Sequence, residues 1–193
     1  QTQFKYLAKV IRAKMPSVFL IGGGPYPSSS YLEIVGSYVD LAVIGEGEKT
    51  FVELIGSLNE TKTLPTDLVG SAVFVDGAIK KNESRPVLEN IDELPAPNYD
   101  LINVKDYKGT YNHAYLGNDN CVFVETSRGC TYKCYYCHAA LSKTVRRRSP
   151  DLVIEEMSEH YHKRGTRDFV FVDDIFNVPK KTAKEILRAI IKK

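Results

Sequence analysis

The stretch Cys121–Cys137, CVFVETSRGCTYKCYYC, decides how this chain is read. Its first part, Cys121-Val122-Phe123-Val124-Glu125, is a short run of β-formers, as in a strand buried on both faces. Its second part places Cys130, Cys134 and Cys137 within eight residues of polar, glycine-containing sequence. Helix signals follow: Ser149 as N-cap, Pro150 in the first turn and Asp151 near the positive end of the helix. Gly165 closes that helix, and Phe169-Val170-Phe171-Val172 reads as a second strand ending in Asp173-Asp174. A last helix after Pro179 carries Ile186, Leu187 and Ile190. Strand, loop, helix, strand, helix is a βα series, whose chemistry belongs at the carboxyl ends of its strands.

Upstream the same grammar recurs. Phe4, Leu7, Ala8 and Ile11 sit at helical spacing until Pro16. Val18-Phe19-Leu20-Ile21 reads as a strand that exits through Gly22-Gly23-Gly24-Pro25. A helical stretch is expected near Tyr31–Gly36, then a strand Val39–Ile44, then the loop Gly45-Glu46-Gly47-Glu48. Phe51, Leu54, Ile55 and Leu58 then mark an amphipathic helix. This alternation predicts a parallel, doubly wound sheet with both glycine loops at its ligand-binding edge. Ala72–Val75, Asp76-Gly77 and Ala78–Lys80 spell a hairpin with a type I′ turn. Residues 83–100 hold three prolines and no period, as a linker does.

The composition is that of a globular chain, with 43% apolar and 26% charged residues over 193 positions. Its net charge of +2 gives no reason to expect a polyanion partner, although residues 1–100 are mildly acidic and 101–193 mildly basic. No apolar run approaches the ~18 residues of a membrane span. The opening, Gln1–Lys14, has no signal-peptide core or cleavage site, so a cytoplasmic protein is expected.

Three clustered cysteines with a fourth, Cys121, standing apart do not resemble a disulfide framework. They read as a metal site in a reducing compartment. Three thiolates in one loop can hold three irons of a four-iron cluster and leave one iron open, unlike the four-thiolate clusters of electron carriers. Other readings stand beside this one. Cys134-Tyr135-Tyr136-Cys137-His138 is literally a c-type haem attachment pattern, but that leaves Cys130 unexplained. The three cysteines with His138 could ligate zinc, in a cramped span of nine residues. They could also simply be buried. Cys121, inside a β-run, is expected to be a packed core residue.

The spacing C-x3-C-x2-C after SRG, with an aromatic before the last cysteine, resembles the radical S-adenosylmethionine (SAM) superfamily. The resemblance implies that Cys130, Cys134 and Cys137 ligate a 4Fe-4S cluster whose open iron takes SAM. It implies that Tyr136 lies where the adenine is contacted, and that Asp173 and Asp174 reach the amine or ribose of SAM. The order GGGPYPSS, VDLAVIGEGEKTFVELIGSL, the hairpin, LPAPNYDL, SRGC and FVDDIF is similar to cobalamin-binding members of that superfamily across nearly the whole chain. Gly22, Gly23 and Gly24, with Gly45, Glu46, Gly47 and Glu48, match the loops near the cobalamin tail.

The fold class implied is α/β: residues 1–70 the back part of a Rossmann-like cobalamin-binding domain, 71–120 a hairpin and linker, and 121–193 the opening of a radical SAM partial barrel. Only 63 residues follow Cys130, room for two βα units, so an internal fragment of a longer enzyme is expected. The implied function is a cobalamin-dependent radical SAM enzyme performing C-methylation or related radical chemistry. It would be served by a flavodoxin- or ferredoxin-type reductant, with no membrane and no nucleic-acid partner. The alternatives are a methylthiotransferase-like enzyme acting on RNA, and a non-catalytic zinc or iron–sulfur module. Arg146-Arg147-Arg148 is read as solvated or carboxylate-paired, and Arg128 as steadying the cysteine loop or forming a salt bridge. His113, His160 and His162 are expected at the surface.

Overall fold

A computed structural model describes residues 1–102, 110–111, 114–115, 121–132, 134–135, 137 and 142–192. It divides into two units, Gln1–Leu88 and Glu89–Lys193. In the first, helix α1 (Thr2–Lys14) precedes strand β1 (Ile21–Gly22), helix α2 (Pro25–Ile34), strand β2 (Leu41–Val43), helix α3 (Glu48–Thr61) and the hairpin β3 (Ser71–Val75) and β4 (Ala78–Lys81). β1 and β2 are parallel, with Ile21 opposite Leu41 and Gly22 opposite Ala42. β3 then joins β2 antiparallel, so the sheet is mixed, in the order β1-β2-β3-β4. The expected parallel sheet is thus one parallel pair extended by the hairpin. Asp76 and Gly77 have φ of 50° and 78°, as a type I′ turn demands.

Period-2 alternation sorts the side chains of this sheet. Leu41, Val43 and Val73 pack with Leu54 of α3 on one face. Ala42 and Ala72 pack with Ile34, Val35 and Val39, and with Phe4 of α1, on the other. Helices therefore cover both faces, and small alanines on one side let α1 and α2 approach closely. β1 is shorter than the run Val18–Ile21 suggests because a side chain replaces part of the ladder. The Asp40 carboxylate accepts from the Leu20 N–H at 2.7 Å and from Arg12 at 2.5 Å. Helix α2 starts at Pro25, well before Tyr31. Gly24 turns the chain at φ 94° and Pro25 supplies a preset first turn, so the local signal outruns the apolar spacing.

In the second unit the short 3-10 turns Ile91–Glu93 and Tyr99–Leu101 precede β5 (Thr110–Tyr111) and β6 (Ala114–Tyr115), which pair antiparallel. The βα series follows as β7 (Cys121–Val124), β8 (Ser127–Arg128), β9 (Arg146–Arg147), α4 (Pro150–Arg164), β10 (Asp168–Phe171) and α5 (Lys180–Lys192). β7 and β10 are parallel neighbours, with Cys121 opposite Asp168 and Val124 opposite Phe171. Val122, Val124, Val153 and Ile186 form the buried core between these strands and the two helices. Gly165 ends α4 in the left-handed region at φ 68°. Ser149 stands at the N-cap of α4, yet its hydroxyl makes no capping bond; its N–H is instead held by the Asp92 carboxylate at 2.8 Å. No described helix is long and apolar enough to cross a membrane.

His160 corrects an expectation. It is 3% exposed, on the inner face of α4, and its ring meets Tyr99 edge-on at 4.4 Å. His162 is exposed, and His113 lies outside the described residues. Burial pushes the His160 pKa down, helped by Arg164, against weaker opposing pulls from Glu156, Glu159 and Asp100. The unfolded chain therefore binds a proton that the folded one resists. The stability due to neutral His160 should be full above the ordinary value of about 6.5 and fall as pH drops through it toward the lower folded value. Melting curves across pH 5–8 should show this loss in the wild type, and a flatter profile in His160→Phe, which keeps a ring against Tyr99.

Candidate functional site

The parallel register of β7 and β10 builds the site. Past the strand ends the Val172 N–H still donates to the Val124 carbonyl at 3.1 Å. Two residues further, Asp173 faces Thr126 at the same sequence offset as the ladder. Asp173 Oδ1 accepts three hydrogen bonds: from the Thr126 N–H at 3.1 Å, Thr126 Oγ1 at 2.8 Å and Ser127 Oγ at 2.6 Å. Asp174 Oδ2 accepts from the Gly129 N–H at 3.2 Å. Neither loop solvation nor helix capping describes these carboxylates. They hold the entry of the cysteine loop.

That loop is pinched at its base. β8 and β9 pair antiparallel, Ser127 opposite Arg147 and Arg128 opposite Arg146. The Cys130 N–H donates to the Ser142 carbonyl at 3.1 Å. Gly129 sits at φ 89°, and a Cβ there would stand 2.4 Å from the Thr144 carbonyl oxygen. Below the neck, the Arg148 guanidinium donates to the Glu125 carbonyl at 3.0 Å and pairs with the buried Glu156 carboxylate. Arg128 pairs with the Glu125 carboxylate at 2.8 Å. Arg146 is 6% exposed. The arginine run is therefore internal wiring for the loop and not a solvated basic face. Arg147 Nη2 and Asp173 Oδ2 are buried without a hydrogen-bond partner among the described residues. Burial pushes the Arg147 pKa down, and the Asp173 charge partly restores it.

The three cysteines share this closed loop. Cys130 is half-buried at its base, while Cys134 and Cys137 are exposed on a turn in which the Cys137 N–H donates to the Cys134 carbonyl at 3.0 Å. Among the described residues no three His, Cys, Asp or Glu side chains converge on a point that would hold a metal ion. The thiols are on one loop but not drawn together. Tyr136 and His138 lie outside the described residues. Three free thiols within reach of solvent, on a loop with a pinned base, are a donor set that fits a cluster inserted from outside. Cys121 is buried, its pKa raised by burial and by Asp168, as a packing residue.

The glycine loops lie at the carboxyl ends of β1 and β2. Ser28 ties them together: its Oγ donates to the Gly24 carbonyl at 2.8 Å and accepts from the Gly45 N–H at 3.0 Å. Gly24 and Gly45 have φ of 94° and 80°, with open space where a Cβ would stand. The backbone of both loops is therefore open to close approach at these two positions. Gly22 is a packing glycine, its missing Cβ 3.2 Å from the Phe4 ring, and Gly23 and Gly47 border Val43. Glu46 has a structural partner, accepting from the Leu88 N–H at 3.0 Å, and Glu48 lies in the first turn of α3, where its charge favours the helix. Ser28 escaped the sequence reading, although a serine four residues after a glycine exit is a recognisable i→i+4 fastener.

A family model, the radical SAM superfamily, matches residues 124–193, which contain the pinched loop and both aspartates. The match to that superfamily rests on these residues. It is 34% identical over 93% of its length to the uncharacterized methyltransferase PH0819 of Pyrococcus horikoshii, covering 38% of that protein. It is 27% identical over 96% of its length to the anaerobic magnesium-protoporphyrin IX monomethyl ester cyclase of a Synechocystis species, covering 36% of it. The radical SAM methyltransferase TsrM from Kitasatospora setae, solved with cobalamin and a [4Fe-4S] cluster bound, superimposes with a TM-score of 0.71 at 20% identity, over 98% of this chain and 37% of that one. The chain thus spans little more than a third of the length of these relatives, and its α/β fold is similar to that of TsrM.

Gly129→Ala tests the neck. The left-handed backbone alone costs an alanine about 1–2 kcal/mol, and the contact with the Thr144 carbonyl adds to that. Limited proteolysis should cut the variant's loop after Arg128 or Lys143 faster than the wild type's, while Gly77→Ala in the far hairpin should leave that cleavage unchanged.

Proposed function

We propose that this chain is part of a cobalamin-dependent radical SAM enzyme that acts at an unactivated carbon, with methyl transfer as its outcome. One observation carries the reading: a closed loop with three cysteines, anchored at the carboxyl ends of two parallel strands, inside the stretch that matches the radical SAM family. Cys130, Cys134 and Cys137 would hold a 4Fe-4S cluster. When bound and reduced, such a cluster supplies the electron that splits SAM into methionine and a 5′-deoxyadenosyl radical. The chain's own residues set the geometry of that loop: Asp173, Asp174, Gly129 and the Arg148–Glu156 pair keep its base in place while the thiols stay within reach. Three thiols for four irons leave one position for the amine and carboxylate of SAM.

The first unit, residues 1–70 above all, is the back part of a cobalamin-binding domain in this reading, residues 71–120 connect it, and residues 121–193 open the barrel. Gly24 and Gly45 would admit the cobalamin tail where Ser28 joins their loops. TsrM's bound cobalamin supports this assignment. A flavodoxin- or ferredoxin-type reductant in the cytoplasm would deliver the electron.

Anaerobic reconstitution with iron and sulfide should give a brown protein with about four irons per chain. Alanine at Cys130, Cys134 or Cys137 should abolish the charge-transfer absorbance, and Cys121→Ala should keep it. Added SAM should change the electron paramagnetic resonance spectrum of the reduced protein. A colourless chain that retains stoichiometric zinc instead would overturn the assignment.

A further inference from the structure

We propose that Asp173 and Asp174 are positioning residues of the cysteine loop, spending their carboxylates on loop donors and not on a bound ligand. The proposal rests on the cluster reading for its purpose, but its geometry stands in the apo chain. Asp173 Oδ1 already accepts from a backbone N–H and two hydroxyls, a full complement for one carboxylate oxygen. A ligand ammonium at Oδ1 would have to displace at least one of these bonds, each strengthened by the negative charge of its acceptor, and Oδ2 is closed off from solvent. Asp174 holds the N–H of Gly129, the residue directly before Cys130.

The two carboxylates grip consecutive parts of one short path. Asp173 takes Thr126 and Ser127, where the chain leaves β7 and enters β8, and Asp174 takes Gly129. On the other side of the path, Gly129 abuts the Thr144 carbonyl and the Cys130 N–H is bonded to Ser142. The segment carrying the first cysteine is therefore held between the end of β10 and the returning arm of its own loop. Arg147 lies opposite Ser127 in the β8–β9 pair, and the Asp173 charge acts favourably on its guanidinium. The consequence is preorganisation: Cys130 is presented in one place before any iron arrives. Cys134 and Cys137, exposed beyond the clamp, close on the metal later.

The test measures loop order without a cluster. Iodoacetamide labelling of the iron-free full chain, read cysteine by cysteine by mass spectrometry, reports the exposure of each thiol. Asp173→Ala and Asp174→Ala should each speed labelling of Cys130 about tenfold, as expected for opening a locally protected site by one charged hydrogen bond. Cys134 and Cys137 should stay within about twofold, since they are exposed in either state. Asp173→Asn keeps an acceptor oxygen and should rescue Cys130 protection to within about threefold of wild type. Amide exchange at Thr126 and Gly129 should follow the same order. Ser127→Ala leaves both carboxylates intact and removes one donor, so it should raise Cys130 labelling by an intermediate factor even if an aspartate variant fails to fold. Unchanged Cys130 labelling in the alanine variants would overturn the proposal. So would a SAM-dependent spectral change lost equally in Asp173→Asn and Asp173→Ala while Cys130 remains protected, because that pattern belongs to a ligand-binding charge. Iron uptake by the wild type is scored separately: a wild type that takes up no iron but shows the ordered labelling would refute the cluster reading and uphold the clamp.

Discussion

The parallel pairing of β7 with β10 is the constraint on which the second unit depends. Its register, Val124 opposite Phe171, leaves both chains at the same level as they exit the sheet. Parallel strands end side by side only when a crossover has returned the chain, and α4 is that crossover. The core residues Val122, Val124, Val153 and Ile186 hold the pairing by burial. Everything polar at the site follows from it. A shift of one residue would exchange the inner and outer faces of β10 and move Asp173 away from Thr126.

Burial and ionisation are reconciled at the base of the loop by pairing. Glu156 is 5% exposed, an expensive place for a lone carboxylate, and Arg148 both neutralises it and bonds to the Glu125 carbonyl. The pair gives α4, β7 and the returning arm of the loop a common anchor. Removing either partner would strand the other charge, so the interaction contributes specificity of arrangement more than net stability. The first unit uses the same device at its own sheet: Asp40 joins Arg12 of α1 to the backbone just before β1.

Much of this was legible in the sequence, for identifiable reasons. The hairpin at Asp76-Gly77 and the stop at Gly165 were readable because only a few residue types accept positive φ. The position of the cysteine loop was readable because a β-run precedes it and helix-start signals follow it. What escaped depends on partners remote in sequence. His160 looked like a surface residue because α4 is polar overall, and only its packing on Tyr99 places it inside. The arginine run reads as solvated or carboxylate-paired, and the pairing holds for Arg148, but its partner Glu156 and the nearby Asp173 are too scattered along the chain to be named from sequence. Val18–Leu20 looked like strand because an aspartate side chain that substitutes for a ladder partner leaves no periodic trace.

The aspartates show how an acid at a strand end can serve the chain itself. An acidic pair at a strand's carboxyl end lies where ligands bind, so a ligand contact is the natural inference. Yet the same location is where a neighbouring parallel strand releases its own unpaired N–H groups. Thr126 and Gly129 are such donors, beyond the last ladder bond and needing acceptors. A carboxylate meets that need better than a carbonyl does, because its charge strengthens each bond and one oxygen can serve several donors. The loop's own donors therefore have first claim on Asp173 Oδ1 and Asp174 Oδ2. The cysteines face no such competition: a thiol is a weak hydrogen-bonding group, so little in the fold restrains Cys134 and Cys137 from turning toward a metal. The loop thus divides its chemistry between strong acceptors that hold its base and soft donors left available at its rim.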